Sequence, residues 1–199
     1  MSTRVYTIGH SNHEVDGFVA LLRQHAIDVV CDVRSVPCSR RYPWFAKAAI
    51  EVALKERGVR YLFLGDALGA RPGDPSCFDG DRALHSRIAA TELFQAALDR
   101  IETGSKKFRI ALMCAEREPL ECHRSVLVVR NLALRGIECA HILASGELES
   151  HAAMEKRMAE REGVAPMPLL DGAQAWEAAL EEAYRRASHR LEYVRRPEK

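Results

Sequence analysis

Five short apolar runs, each separated from the next by a stretch with helical character, constrain this chain most. They cover residues 4–8, 28–33, 59–64, 108–113 and 139–143. Between the first two, Val15, Phe18, Val19 and Leu22 recur at helical spacing, so a helix is expected to run to about Ala26. Residues 46–57 are rich in helix formers and stop at Gly58, and a helix over about 121–135 stops at Gly136. Residues 82–103 read as a further helix, closed by Gly104. Parallel neighbours need a crossover between them, and an alternating pattern supplies one each time. The expected fold is therefore α/β, a mostly parallel central sheet of about five strands flanked by helices. Residues 147–161 and 174–187, separated by Pro166-Met167-Pro168, add C-terminal helices. Residues 1–190 are expected to form one domain, and 191–199 a frayed tail.

Two connections carry further signals. Ser11-Asn12-His13-Glu14 fits a capping box, with Ser11 as N-cap and Glu14 reaching back. Residues 65–81 are rich in Gly, Pro and Asp and read as a long loop, a common place for function.

The formal net charge is +1, so no global field draws the chain to nucleic acid or to an acidic membrane. Basic pairs such as Arg40-Arg41 and Arg185-Arg186 remain local features, the latter suited to a solvated helix face. No segment has the order of a signal peptide, and no apolar run approaches the ~20 residues that span a bilayer. A cytoplasmic protein without a membrane partner is expected, its 6 cysteines reduced. Cys31 and Cys139 lie in apolar runs and suit core packing, as do Leu127, Leu132 and Leu134.

Residues 113–124 are chemically the densest part of the chain. Cys114, Glu116, Arg117, Glu118, Glu121, Cys122, His123 and Arg124 gather where the fourth apolar run hands over to a helix. Ligands of parallel-sheet proteins bind at that edge, and a helix start offers free N–H groups to an anion. Arg124 in a first helical turn opposes the helix dipole, so a bound anion or a carboxylate such as Asp32 or Glu116 should compensate it.

The order Thr7-Ile8-Gly9-His10-Ser11, then Asp32-Val33-Arg34 with Pro37 and Ser39-Arg40, then Leu68-Gly69, then Cys114-Ala115-Glu116 with Pro119 and Cys122-His123-Arg124 resembles the family catalogued as domain of unknown function 488. The likeness covers roughly residues 4–145, and Ala70 stands where the family carries a second glycine. It implies an α/β fold and brings no settled reaction. A weaker likeness joins Asp32-Val33-Arg34, Cys114 and Arg124-Ser125 to the rhodanese and dual-specificity phosphatase fold.

Three functional classes stay open on these residues. In the first, an enzyme uses Cys114 as nucleophile, with His10 moving protons and Asp32 and Glu116 orienting the basic groups. Arg34, Arg40, Arg124 and Ser11 then bind an anionic small molecule or nucleotide. In the second, Cys114, Cys122 and His123 or His10 hold a zinc or iron ion. In the third, Arg34, Arg40, Arg41, Trp44 and Phe45 bind nucleotide or nucleic acid. The last group equally suits a loop clamped over the core. Cys114 equally suits the buried end of a strand.

Overall fold

The computed structural model describes residues 4–166 and 173–195. In chain order the elements are β1 (Arg4–Gly9), α1 (Val15–Gln24), β2 (Val29–Asp32), α2 (Lys47–Glu56), β3 (Arg60–Phe63), α3 (Gly65–Leu68), β4 (Phe78–Asp79), β5 (Arg82–Ala83), α4 (His85–Ala89), α5 (Glu92–Ser105), β6 (Ile110–Cys114), α6 (Arg130–Leu134), β7 (Glu138–Ile142), β8 (Leu148–Ser150), α7 (His151–Arg161) and α8 (Ala173–Leu191). Six strands form the central sheet in the order β3-β2-β6-β1-β7-β8. All its pairings are parallel except β7 with β8. The α/β architecture expected from the alternation is present, with one strand more.

Successive side chains on a strand face opposite ways, and both faces of this sheet are covered. Tyr6, Ile8, Val30, Ala111 and Met113 meet Phe18 and Leu22 of α1 and Ile50 and Leu54 of α2. Val5, Cys31, Ile110 and Leu112 meet Phe94, Leu98 and Ile101 of α5 and Leu127 to Val129. Each large apolar side chain so buried contributes about 1.5–3 kcal/mol. A third cluster joins Leu120 and Val126 to Met154 and Met158 of α7 and Tyr184 of α8. Among the described residues, no helix is long and apolar enough to cross a membrane.

Several local expectations are corrected. Ser11 does not cap α1, which starts at Val15 with Glu14 before it and no side-chain cap. The Ser11 N–H is instead held by the Ala115 carbonyl, extending the ladder beyond β1 and forcing Ser11 to φ 47°. The expected helix over 82–103 is broken into β5, α4 and α5, because Arg82 and Ala83 pair with β4 and Thr91 caps a new helix at the Phe94 N–H. The expected helix over about 121–135 is a 3-10 turn at Pro119–Glu121, a π-helix at Arg124–Val129 and then α6. Residues 148–150 form β8 rather than the start of a helix, folded back on β7 through Gly146 at φ 88°. Leu134 is 72% exposed and belongs to no core. The break at Pro166-Met167-Pro168 falls partly outside the described residues. In the tail, the Ala83 N–H donates to the Tyr193 carbonyl and the Arg195 N–H to the Asp81 carbonyl.

The sheet order creates a crevice. From β1 the chain passes through α1 to β2, and from β6 through α6 to β7, on opposite faces and in opposite directions along the sheet. The neighbours β1 and β6 therefore send their chains apart beyond their C-terminal ends, where ligands bind in open α/β sheets. Gly9 lies beside Cys114 in register at that edge, and the His10 N–H continues the ladder to the Cys114 carbonyl.

Candidate functional site

A cavity of about 940 Å³ opens over this edge, and His10, Ser11, Arg34, Cys114, Glu116 and His123 line it. Four of the expected site residues do not line it, Cys122 among them. Asp32 is fully buried beneath Arg34, Arg124 is fully buried behind the thiols, and Arg40 is exposed outside the cavity.

Arg34 is held on three sides. Its Nε and Nη2 donate to the two oxygens of Asp32 at 2.9 and 2.6 Å, a bidentate fork. Its Nη1 lies 3.1 Å from His10 Nε2. A guanidinium only donates, so Nε2 must offer its lone pair, which leaves the imidazole proton on Nδ1, 3.1 Å from the Ser11 carbonyl. Burial, then the charge of Arg34, holds His10 down to about 4. His10 also stacks on Phe45 at 4.2 Å. The expected proton carrier is thus a neutral prop whose free nitrogen is already engaged.

The second group is built from β6 and the loop after it. The Cys114 thiol donates to Glu116 Oε2 at 2.9 Å and the Cys122 thiol to the same oxygen at 3.1 Å. His123 Nδ1 faces both sulfurs, 3.7 Å from Cys114 and 4.0 Å from Cys122. These four donor atoms all lie within 4.8 Å of one another. Because a carbonyl only accepts, the 3.0 Å contact of His123 Nε2 with the Val33 oxygen places a proton on Nε2 and turns Nδ1 towards the sulfurs. Burial, together with Cys122 and Glu116, pushes the Cys114 thiol up. Burial opposes ionisation of Cys122 too, but Cys114, Arg124 and His123 outweigh it and lower its pKa. Burial likewise disfavours the His123 cation, and the Cys122 sulfur outweighs it to raise that pKa.

Arg124 holds this group from behind. It donates to the carbonyls of Glu116 at 2.6 Å and Arg117 at 3.3 Å, while its backbone N–H reaches Cys122 Sγ at 3.4 Å. Backbone carbonyls, not the anion or carboxylate expected from the sequence, compensate it, and Asp32 serves Arg34 instead. Its Nε faces Thr7 Oγ1 at 3.4 Å. A buried chain continues from there. Thr7 Oγ1 meets His141 Nδ1 at 2.8 Å, His141 Nε2 meets His151 Nδ1 at 3.1 Å, His151 Nε2 meets Tyr184 Oη at 2.9 Å, and Tyr184 donates to Glu155 at 2.7 Å.

Glycines let the segments close up. A Cβ on Gly9 would lie 1.9 Å from the Glu116 oxygen, and one on Gly65 2.0 Å from the Arg34 oxygen. One on Gly69 would lie 2.2 Å from Ser35 Oγ, so the tight approach exists although Ala70 follows. Phe45 is fully buried and the Trp44 indole N–H donates to the His13 carbonyl at 2.9 Å, so these two aromatics clamp the segment onto the core.

A family model for the domain of unknown function DUF488 matches residues 14–130, more than half of the 199 residues. The chain belongs to the DUF488 family. The DUF488 match takes in Arg34, Cys114, Glu116, Cys122 and His123 and leaves out β1 with His10. No curated protein and no solved structure gives a match. The likeness to the rhodanese and phosphatase fold gains no support from the geometry, because Arg124 turns into backbone carbonyls rather than towards an anion beside Cys114.

Sequence reasoning missed the walls of the cavity. Arg71 arrives from the loop after α3, and Arg190 and Tyr193 from the C-terminal segment. The joint engagement of both thiols by Glu116 was also missed. Its signal was the spacing Cys-x-Glu, which lets a strand-end thiol and a carboxylate point the same way.

Proposed function

We propose that this DUF488 protein holds a thiophilic divalent metal, zinc or iron, on Cys114, Cys122, His123 and Glu116, and uses it as the reactive centre of an enzyme acting on an anionic substrate. One observation carries the reading: four donors of suitable type converge within 4.8 Å, with the imidazole fixed so that its lone pair faces the sulfurs. A hydrogen bond that fixes the far nitrogen of a histidine is the usual support of a metal ligand. Tetrahedral zinc with bonds of about 2.0–2.3 Å has ligand–ligand edges of about 3.3–3.8 Å. The sulfur–nitrogen separations of 3.7 and 4.0 Å come near those edges. The sulfur–carboxylate contacts of 2.9 and 3.1 Å are thiol hydrogen bonds and lengthen once the thiols give up their protons.

Cys114, Glu116 and His123 line the cavity whereas Cys122 does not. With Glu116 released from it, a metal there would present one face to an incoming molecule, as catalytic sites with two cysteines and a histidine do. It would polarise a bound oxygen or supply hydroxide for hydrolysis. The alternative of Cys114 as a free nucleophile has less support, since its thiol is 2% exposed, raised by burial and bonded to a carboxylate.

The test is elemental analysis of the untagged full chain. One metal per chain, lost in Cys122→Ser and in His123→Ala, is the expected result. Folded protein carrying no metal after supplementation with zinc and with iron(II) would overturn the proposal.

A further inference from the structure

We infer that the cavity is built for an organic phosphate monoester whose phosphoryl group spans Arg34 and the proposed metal, displacing Glu116. The inference rests on the metal-centre reading and names its substrate class.

Arg34, Arg41, Arg71, Arg117 and Arg190 all line this one cavity, in a chain of net charge only +1. Asp32 neutralises Arg34, and Glu121 and Glu162 neutralise Arg190. Arg41 and Arg71 lie over tyrosine rings, and neither they nor Arg117 form an ion pair among the described residues. Three uncompensated guanidiniums round one cavity ask for more than a single negative charge. A phosphate monoester carries nearly two at neutral pH, and a carboxylate only one.

Arg34 also has donors to spare. A guanidinium has five N–H bonds. Asp32 takes two and His10 one, so two remain, on a group that cannot turn. Fixed paired donors suit the oxygens of a phosphoryl group.

A divalent ion with two thiolates and a carboxylate carries a net negative charge and would repel a phosphate. Without the carboxylate it is neutral. The Glu116 backbone is fixed by Arg124, while the residue is exposed on the cavity side. Its side chain can therefore swing away without moving the loop. Finally, about 940 Å³ is far more than inorganic phosphate fills and lies at the upper end of small-molecule pockets, so the ester carries an organic group.

The experiment titrates the full chain, metal content measured first, with adenosine 5′-monophosphate, orthophosphate and adenosine, each with and without chelator. Both phosphates should bind, adenosine should not, and chelation or Arg34→Lys should weaken binding at least tenfold with the metal of Arg34→Lys intact. Glu116→Gln should bind phosphate several-fold more tightly. Adenosine binding as well as its phosphate, or phosphate binding indifferent to chelator, would overturn the inference, and so would a metal-loaded chain that ignores phosphate. The metal reading survives those three results. It falls separately, and takes this inference with it, only if elemental analysis finds no metal.

Discussion

His123 Nε2 donates to the carbonyl of Val33 across 3.0 Å, tying the loop after β6 to the end of β2. The contact fixes which nitrogen of the ring faces Cys114 and Cys122, and it makes the geometry of one segment depend on the other. His123→Ala should leave the fold intact, because the ring belongs to none of the three apolar clusters. It should lower metal affinity by at least about 100-fold. Competition with a chromophoric chelator measures this, and unchanged affinity would remove His123 from the ligand set.

Close backbone packing beside the site sets up a second prediction. Gly9→Ala places a methyl 1.9 Å from the Glu116 oxygen, where backbone rather than a flexible side chain must move. A loss of about 1–3 kcal/mol in urea unfolding is expected. Gly17→Ala in α1 meets nothing within 4 Å and is the control, expected to gain about 0.5–1 kcal/mol.

Arg124 is fully buried, so its replacement strips donors from two carbonyls at once. Arg124→Met should cost about 3–5 kcal/mol, and thermal melting should drop by roughly 10 °C. A near-neutral result would mean that the loop over 116–117 holds its shape unaided.

Buried neutral histidines make the fold sensitive to acid. Burial holds His151 down from 6.5 to about 4, and burial together with His151 holds His141 well below its ordinary range. Above 6.5 neither the folded nor the unfolded His151 is charged, so it has no effect there. Below that, the unfolded chain takes up a proton that the folded chain refuses. Stability should therefore fall as pH drops from about 6.5 to about 4, by ~3 kcal/mol for His151 alone. Glu155, raised by burial, offsets part of this at the acid end. Urea unfolding across the range checks the sign, and a level profile would contradict it.

Alkylation separates the two readings of the thiols. Cys38 is exposed and should react first, while Cys114 and Cys122 are buried and should react only after chelation. Modification of Cys114 ahead of Cys38 in untreated protein would restore the nucleophile reading.

How much of this could be read from the residues differs by element. The central strands were legible because they are buried on both faces and so appear as apolar runs. Edge strand β8 was not, since Leu148-Glu149-Ser150 is mostly polar and sits among helix formers. The Ser11 to Glu14 pattern satisfied the rule for a cap, yet the Ser11 N–H that Glu14 would have reached donates to the Ala115 carbonyl instead. The convergence of Cys114, Glu116, Arg34 and His10 was legible because three parallel strands must end at one edge. The duty of Arg124 was not, because a guanidinium that grips carbonyls and one that grips an anion look alike in sequence. The arrival of Arg190 and Tyr193 was hidden for another reason: contacts as distant in sequence as that of Arg190 with Glu121, across 69 residues, leave no local periodicity.

Tyr193 and Arg195 are stitched to the β4–β5 ribbon, and Tyr193 also walls the cavity. Residues 193–195 are thus part of the vessel rather than its handle. A truncation after α8 would unroof the side where Arg71 stands and loosen the ribbon in the same stroke. Shortened versions made for crystallisation should therefore be judged by ligand uptake as well as by how well they fold.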